Sequence, residues 1–211
     1  MKFEKAMLRL YAVTDRSWVG RQTLYEQIED ALKGGVTILQ LREKNLDKSA
    51  FIEEAIKVKQ ICRRYNVPLI INDSVEVALE SGADGVHVGI EDVPVREIRK
   101  TVPKDFIIGA TAKTVEQALA AEEGGADYLG IGAVFPSPTK KTAIRITKQD
   151  FIKIKSSVSL PAVAIGGITY ENIDELSCCT ADGFAVVSAI FAAQNIQEAT
   201  KRLREKIDKL I

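Results

Sequence analysis

The stretch Gly82-Ala83-Asp84-Gly85-Val86-His87-Val88 joins a glycine-containing turn to a short apolar run, and its first half recurs along the chain. Gly125-Ala126-Asp127-Tyr128 and Thr180-Ala181-Asp182-Gly183 repeat it, and Gly34-Gly35-Val36-Thr37 is a looser copy. A glycine at this point can end a helix in the left-handed conformation before the chain enters a strand. The copies precede every second apolar run, which favours a regular strand and helix repeat over the chance recurrence of a common turn.

Eight short apolar runs alternate with longer segments of helical spacing. Apolar runs without polar alternation are typical of strands buried on both faces. The predicted strands are Leu8–Val13, Val36–Leu41, Pro68–Ile71, Gly85–Val88, Phe106–Gly109, Tyr128–Ile131, Ala162–Ile165 and Phe184–Val187. Apolar stripes at helical spacing predict helices at Ser49–Arg64, Thr114–Glu123 and Ile196–Ile211.

Eight strand and helix units in one chain predict an α/β fold, a single-domain (β/α)8 TIM barrel over residues 1–211. An open doubly wound sheet is the alternative. The first connection, Thr14-Asp15-Arg16-Ser17-Trp18, lacks the glycine-rich phosphate turn of such a sheet, so we favour the barrel.

The composition excludes several classes of protein. Lys plus Arg and Asp plus Glu both number 29 among the 211 residues, and a neutral chain is a poor candidate for binding nucleic acid. No apolar run reaches the roughly 18 residues of a membrane span, and no apolar core of a secretory signal follows the first residues. Three cysteines and one histidine exclude a disulfide framework and a multi-histidine zinc site. We expect a cytoplasmic protein, and a homo-oligomer is compatible with the sequence.

Polar residues follow nearly every predicted strand, at the end where barrel enzymes carry their chemistry. The candidates at or after the ends of the second to sixth strands are Gln40, Arg42, Lys44, Asn72, Asp73, His87, Asp92, Thr111 and Lys140. Gln40 and Arg42 share the parity of Ile38, so they can point to the barrel mouth. This asymmetry between the two ends of the strands predicts an enzyme.

The cations and carboxylates among these candidates suit a diphosphate held by Mg²⁺. Magnesium prefers one or two carboxylates together with phosphate oxygens. Arg42, Lys44 and Lys140 would meet the diphosphate, and Asp73 and Asp92 are the carboxylates. Surface salt bridges, which contribute little to stability, are the alternative interpretation of each residue taken singly.

The seventh and eighth strands end in Gly166-Gly167 and in Val187-Ser188. Loops at these two positions of a barrel commonly bind phosphate through backbone N–H groups and a helix N-terminus. Two glycines let the backbone approach the anion closely, so we favour a phosphate site. A tight turn that needs glycine for its conformation alone is the alternative.

The chain resembles the thiamine-phosphate synthase family over essentially its whole length. The residues that carry the resemblance are Gln40-Leu41-Arg42-Glu43-Lys44, Ile71-Asn72-Asp73, Gly85-Val86-His87-Val88-Gly89 with Asp92, Pro136-Ser137-Pro138-Thr139-Lys140-Lys141, Ile165-Gly166-Gly167-Ile168 and Val187-Ser188. The resemblance implies an Mg²⁺-dependent transferase that joins 4-amino-2-methyl-5-(diphosphooxymethyl)pyrimidine to 4-methyl-5-(2-phosphooxyethyl)thiazole. The products would be thiamine phosphate and diphosphate, formed through a pyrimidinylmethyl cation.

The resemblance also implies a role for each candidate residue. Asp73 and Asp92 would hold Mg²⁺. The diphosphate would be held by Arg42, Lys44, Asn72 and Lys140 with Thr111 nearby, so that Arg42, Lys44, Lys140 and Thr111 form the catalytic set. The pyrimidine pocket would be lined by Gln40 and His87. The thiazole phosphate would contact Ser137, Thr139, Gly166, Gly167, Val187 and Ser188.

Three positions depart from the pattern of the family. Ile90 stands where glutamine is frequent, Thr142 where aspartate is frequent, and Ala110-Thr111-Ala112-Lys113 where serine and histidine are frequent. The thiazole tautomerases of the same superfamily rely on a histidine after the fifth strand, and here that region has Lys113 instead. A tautomerase is therefore a less favoured function. A non-catalytic phosphate-binding barrel is also less favoured, because Asp73, Asp92, Arg42 and Lys140 are retained.

Overall fold

Eight parallel strands close into a barrel in the order of the chain, as the sequence predicts. The structure is a computed structural model that describes residues 2–136 and 144–211. The strands are β1 (Leu10–Val13), β2 (Ile38–Leu41), β3 (Leu69–Asn72), β4 (Gly85–Val88), β5 (Ile107–Ala112), β6 (Tyr128–Gly132), β7 (Ala162–Ile165) and β8 (Gly183–Val186). The register of β1 on β8, which pairs Tyr11 with Ala185, completes the ring.

Helices surround the barrel. The α-helices of the described residues are α1 (Leu24–Lys33), α2 (Lys48–Arg64), α3 (Val75–Glu80), α4 (Val95–Thr101), α5 (Val115–Gly124), α6 (Lys148–Ser156), α7 (Ser188–Phe191) and α8 (Ile196–Leu210). The three helices predicted from apolar stripes are α2, α5 and α8. The seventh connection differs from the regular repeat, because it carries a 3₁₀ helix, Ile173–Cys179, in place of an α-helix. In the part of the chain described here, no helix has the length and apolar character needed to cross a bilayer.

Several strand boundaries differ from those predicted by one to three residues, most notably in the first and fifth strands. The first strand begins at Leu10 rather than Leu8, because Leu8 closes the 3₁₀ helix Lys5–Leu8. The fifth strand runs on to Ala112, so Thr111 lies within it and not after it. Its side chain shares the parity of Ile107, which packs inside the barrel. Thr111 therefore still faces the barrel interior.

The recurring turn takes the conformation expected of it. Gly82, Gly125 and Thr180 have φ values of +67°, +87° and +51°, and Gly35 has +104°. Glycine reaches this left-handed region without the clash that a Cβ atom causes. Each turn then lets the chain pass directly from its helix into an even-numbered strand.

The residue that follows each of these turns bonds to the preceding odd-numbered strand in the same way. The side-chain oxygens of Thr37, Asp84, Asp127 and Asp182 accept hydrogen bonds from the backbone N–H groups of Leu10, Leu69, Ile108 and Ala162, at 2.7–2.9 Å. The backbone N–H of each of the four donates back to the carbonyl oxygen of the same strand residue, at 2.7–2.9 Å. We call these four reciprocal pairs the strand clamps. They tie β1 to β2, β3 to β4, β5 to β6 and β7 to β8 at the amino-terminal end of the barrel.

The amino-terminal half of the barrel is filled with large side chains. Tyr11, Ile70, Ile107 and Tyr128 pack there, each at most 1% exposed. Phe3 closes the bottom, with its ring stacked 5.9 Å from that of Tyr128. Because this end is filled, the remaining space inside the barrel lies at the carboxyl ends of the strands.

The clamps predict where the barrel is sensitive to a single polar change. In Asp127→Ala the N–H of Ile108 loses its side-chain acceptor and Arg99 loses its carboxylate, so we expect a loss of about 2 kcal/mol in the free energy of unfolding. Asp127→Asn keeps an acceptor oxygen and should lose less. Denaturant titration measures both variants. The control is Glu123→Ala, an exposed carboxylate on the neighbouring helix, and a loss as large for it would contradict the role of the clamp.

Candidate active site

A cavity of about 270 Å³ opens at the carboxyl ends of the strands. All eight strands contribute to it, through Tyr11, Gln40, Asn72, His87, Thr111, Gly130, Val163 and Ala185. The candidates from the sequence that line it are Gln40, Arg42, Lys44, Asn72, Asp73, His87, Thr111, Gly166, Gly167, Val187 and Ser188. Ser137, Thr139, Lys140 and Thr142 lie outside the described residues.

Asp73 stands at the end of β3 in a conformation that is unusual for a residue with a side chain. Its φ is +66°, and its backbone N–H donates to the carbonyl oxygen of His87 at 2.9 Å. The carboxylate accepts a hydrogen bond of 2.6 Å from the Lys44 ammonium group. Burial alone would raise the pKa of Asp73, but the bond and charge of Lys44 outweigh it and lower the pKa. Asp73 is therefore ionised at neutral pH, with its charge directed at the mouth.

Asp92 is the one described metal candidate that does not line the cavity itself. Its carboxylate lies beside that of Asp73 and accepts a bond of 2.7 Å from the N–H of Gly89. Burial raises the pKa of Asp92, the Gly89 bond opposes this, and the neighbouring negative charge of Asp73 raises it further. Two carboxylates in such proximity repel each other, and a cation between them would relieve the repulsion.

The donor set at these carboxylates fits magnesium. Both groups offer only oxygen, which is the ligand atom that Mg²⁺ selects. Among residues 2–136 and 144–211, no third carboxylate, histidine or cysteine joins them to complete an all-protein cage. Magnesium commonly binds through one or two carboxylates and takes its other ligands from phosphate and water.

Arg42 is held at the mouth by residues of the first loop. Its guanidinium group lies 3.3 Å from the Asp15 carboxylate, and its backbone N–H donates to the Thr14 hydroxyl at 3.0 Å. The next residue, Glu43, accepts two bonds of 2.9 Å from Arg16. Asp15 was not predicted as the partner of Arg42, because the two residues lie 27 positions apart in the chain and only the pairing of β1 with β2 brings them together.

Five side chains from five strands form a hydrogen-bonded chain at the floor of the cavity. Gln40 Nε2 donates to Tyr11 Oη at 2.8 Å, and Tyr11 Oη lies 2.8 Å from Tyr128 Oη. His87 follows, with Nδ1 at 3.1 Å from Tyr128 Oη and Nε2 at 3.1 Å from Thr111 Oγ1. We call this row the polar chain. Burial lowers the pKa of His87 to about 4, against the opposing charge of Asp73, so the imidazole is neutral at pH 7.

Gly166 and Gly167 turn the chain sharply after β7. Their φ values are +102° and +61°, and a Cβ atom on Gly167 would lie 2.1 Å from the carbonyl oxygen of Pro136. Asn172 Nδ2 fixes the turn by donating to the Gly167 carbonyl oxygen at 2.9 Å. The conformation by itself thus requires both glycines. Within the described residues, the N–H groups of Gly167 and Ile168 donate to no protein acceptor, which leaves them available to a ligand in the cavity.

Lys113 lines the cavity as well, although the sequence analysis treated it only as a departure from the family pattern. Its ammonium group forms no ion pair with the described residues, whereas Lys44 and Arg42 are both paired with carboxylates. A free cation at the mouth after β5 adds to the positive charge that an anionic substrate would meet.

Comparison with known proteins gives the family. A family model described as "Thiamine monophosphate synthase" matches residues 10–190. The chain is 44% identical over 201 residues to a thiamine-phosphate synthase of Clostridium botulinum, covering 95% of this chain and 94% of the relative. It is 46% identical over 196 residues to a thiamine-phosphate synthase of Methanobrevibacter smithii, covering 93% of each. The chain belongs to the thiamine monophosphate synthase family.

Solved structures agree with this membership. The fold matches a thiamine phosphate pyrophosphorylase from Pyrococcus furiosus with a TM-score of 0.89 and 38% identity over 98% of each chain. A 3-hexulose-6-phosphate synthase matches with a TM-score of 0.65 at 14% identity, covering 94% of this chain and 99% of the other, which shows the shared barrel alone. The barrel, the family and the thiamine-phosphate synthase activity expected from the sequence are confirmed. The roles given to single residues stay predictions.

The low pKa of His87 predicts how stability depends on pH in this family member. A solvent-exposed histidine titrates near 6.5, so between pH 6.5 and about 4 the unfolded chain binds a proton that the folded chain does not. The free energy of unfolding should therefore fall as the pH drops through this window, by roughly 3 kcal/mol from His87. Denaturant titrations of the wild type and of His87→Gln isolate this contribution from that of the carboxylates. Equal pH slopes for the two proteins would contradict a neutral His87.

Proposed function

We propose that this member of the thiamine monophosphate synthase family joins the pyrimidine diphosphate and thiazole phosphate named above to form thiamine phosphate and release diphosphate. The observation that carries the proposal is the division of one cavity into two unlike sides. The cations and carboxylates of the loops after β2 to β4 lie on one side. The glycine turn after β7 and Ser188 after β8 lie on the other. Two phosphorylated substrates require such a pair of anion sites.

We further propose that Asp73 and Asp92 hold Mg²⁺. The chemistry of the two side chains supports this proposal, because they are adjacent oxygen donors. The pKa of Asp73 is lowered and that of Asp92 is raised. When bound, the ion supplies charge neutralisation to the diphosphate leaving group. The Lys44 ammonium group donates a hydrogen bond to the Asp73 carboxylate. When that carboxylate binds Mg²⁺ instead, Lys44 would be free to bind the diphosphate.

The side chains of the cavity support a dissociative reaction. The C–O bond to the diphosphate breaks, its electron pair leaves with the diphosphate, and the pyrimidinylmethyl cation is stabilised by the 4-amino group. The thiazole nitrogen then attacks the methylene carbon of this cation. Arg42 and Lys44 stabilise the charge that develops on the leaving group, and the barrel wall holds the two rings in line. No strong base is required, which fits a His87 whose pKa burial lowers to about 4.

The thiazole phosphate would bind at the glycine turn. The N–H groups of Gly167 and Ile168 are available there, and the Ser188 hydroxyl lies on the same side of the cavity. Backbone N–H groups bind phosphate well because they carry partial positive charge at fixed positions.

The proposed location in the cytoplasm rests on the cysteine content alone.

The test is to incubate the purified protein with both substrates and detect thiamine phosphate, with and without Mg²⁺ and with a chelator. Formation of thiamine phosphate and its loss on chelation are expected. Turnover of a thiazole carboxylate phosphate, without formation of thiamine phosphate, would instead identify a tautomerase. Binding of the thiazole phosphate with no turnover of either kind would indicate a non-catalytic barrel.

Removal of one proposed metal ligand should reduce the rate. Asp73→Ala should lower product formation by roughly a hundredfold or more, because the charge of the leaving group is no longer neutralised by a bound cation. The control is Glu91→Ala, which removes an exposed carboxylate from the loop after β4 and should leave the rate nearly unchanged. A wild-type rate for Asp73→Ala at saturating Mg²⁺ would rule out the metal role.

Ser188 tests the placement of the two substrates. Ser188→Ala removes one hydrogen bond to a charged phosphate, so the KM for the thiazole phosphate should rise by about tenfold. The KM for the pyrimidine diphosphate should stay close to its wild-type value. If only the pyrimidine KM rises, the two substrates bind in the opposite arrangement.

A further inference from the structure

The polar chain fixes the position of one proton at the cavity wall. Its order is Gln40, Tyr11, Tyr128, His87 and Thr111, and its two ends line the cavity. The tyrosines and the imidazole are each both donor and acceptor, whereas an amide nitrogen can only donate. The direction of every bond therefore follows from the first one.

The first bond points away from Gln40. Its Nε2 donates to Tyr11 Oη, so the proton of Tyr11 needs another acceptor. Tyr11 is 1% exposed, so its proton is expected to find a protein acceptor rather than bulk water. The oxygen of Tyr128, at 2.8 Å, is the acceptor that the described residues offer. Tyr128 is completely buried, and the next acceptor within reach of its own proton is Nδ1 of His87.

The far end of the chain follows from this. If Nδ1 accepts from Tyr128, a neutral imidazole carries its proton on Nε2 and donates it to Thr111 Oγ1 at 3.1 Å. The Thr111 hydroxyl then has its own proton left to donate, and Thr111 lines the cavity. At the other end, one N–H of Gln40 is used inside the barrel, and the carbonyl oxygen of the same amide is an acceptor left for a ligand.

We propose that Tyr11 and Tyr128 are positioning residues that hold the proton of His87 on Nε2 and thereby make Thr111 a hydrogen-bond donor to the bound anion. That the anion is the diphosphate of the pyrimidine substrate rests on the proposed function. The order of protons within the chain does not depend on it. The wall of the cavity presents a fixed donor at Thr111 and a fixed acceptor at Gln40.

Two glycines keep the rings of the chain in place. A Cβ atom on Gly109 would lie 2.2 Å from Tyr128 Cζ and 2.5 Å from His87 Nδ1. A Cβ atom on Gly130 would lie 3.0 Å from His87 Cε1. Gly109 lies on β5 and Gly130 on β6. The two rings pack so close to these strands that a larger residue at either position would collide with them or crowd them. The imidazole is therefore packed closely against the backbone of both glycines.

The proton on His87 can be observed directly. The chain has one histidine, so ¹⁵N labelling of histidine gives one pair of ring nitrogen signals. We expect Nδ1 to show the shift of an unprotonated nitrogen and Nε2 that of a protonated one at pH 7. A proton on Nδ1 would mean that Gln40 presents its oxygen to Tyr11 and that every bond runs the other way, and this would overturn the proposal. The measurement needs neither a variant nor substrate, so it stands apart from the failure or success of the proposed function.

Variants test the connection to Thr111. Tyr128→Phe removes the donor to Nδ1 and should convert the single tautomer into a mixture, whereas Tyr65→Phe, which loses a surface hydroxyl, should leave the nitrogen signals unchanged. Tyr128→Phe should also lower kcat by about tenfold, the worth of one weakened hydrogen bond in the transition state. Should Tyr128→Phe not fold, Tyr11→Phe interrupts the same chain one residue earlier and should also produce a mixture. A single unchanged tautomer in the folded variant would overturn the proposal.

A double-mutant cycle separates positioning from mere packing. Thr111→Val keeps the shape of the side chain and removes its hydroxyl. If Tyr128 acts through Thr111, Tyr128→Phe should lower kcat little further in the Thr111→Val background. Full additivity of the two effects on kcat would show that Tyr128 does not act through Thr111 and would overturn the proposal.

Discussion

The pairing of β1 with β8 closes the sheet into a cylinder, and the position of each residue at the mouth depends on that closure. It is tight enough that a Cβ atom on Gly183, the first residue of β8, would overlap the carbonyl oxygen of Leu8. An eight-stranded cylinder has an interior just wide enough to be filled by side chains. Tyr11 and Tyr128 fill part of that interior, and their hydroxyls lie 2.8 Å apart within it. The cavity above them is the space that these two side chains leave open.

Charge at the mouth is arranged in pairs that a ligand would have to exchange. Arg42 faces Asp15 and Lys44 faces Asp73, while Lys113 has no such partner within the described residues. The chain as a whole carries no net charge. The net charge of the whole chain therefore conceals a local concentration of positive charge, because cations at the ends of the second and fifth strands line one cavity.

The sequence predicted the fold well because its signals are local. Apolar runs and a recurring turn are properties of short segments, and the predicted strands agree with the structure to within about two residues at most ends. The parity of Gln40 with Ile38 correctly placed Gln40 at the barrel interior. The errors were also local. The 3₁₀ helix at Lys5–Leu8 shortened the first strand, and the apolar run gave no sign that β5 continues past Gly109 to Ala112.

What the sequence could not supply was contact between distant strand ends. Tyr11 and Tyr128 each look like packing residues within an apolar run, and nothing in either run indicates that their hydroxyls meet across the barrel. Asp15 and Arg42 follow the neighbouring strands β1 and β2, but their ion pair joins residues 27 positions apart, which no local pattern indicates. Lys113 was considered only as a departure from the family pattern, and the sequence did not show that it lines the cavity.

The strand clamps have a consequence for how the barrel assembles. Each joins residues that are 15 to 27 positions apart, whereas the contact of β1 with β8 joins nearly the two ends of the chain. The entropy lost on closing a loop grows with its length, so short-range contacts form at smaller cost and sooner. The four clamped strand pairs are thus natural early units of folding, and ring closure between the first and last comes late. A cavity to which all eight strands contribute exists only once that last step is complete.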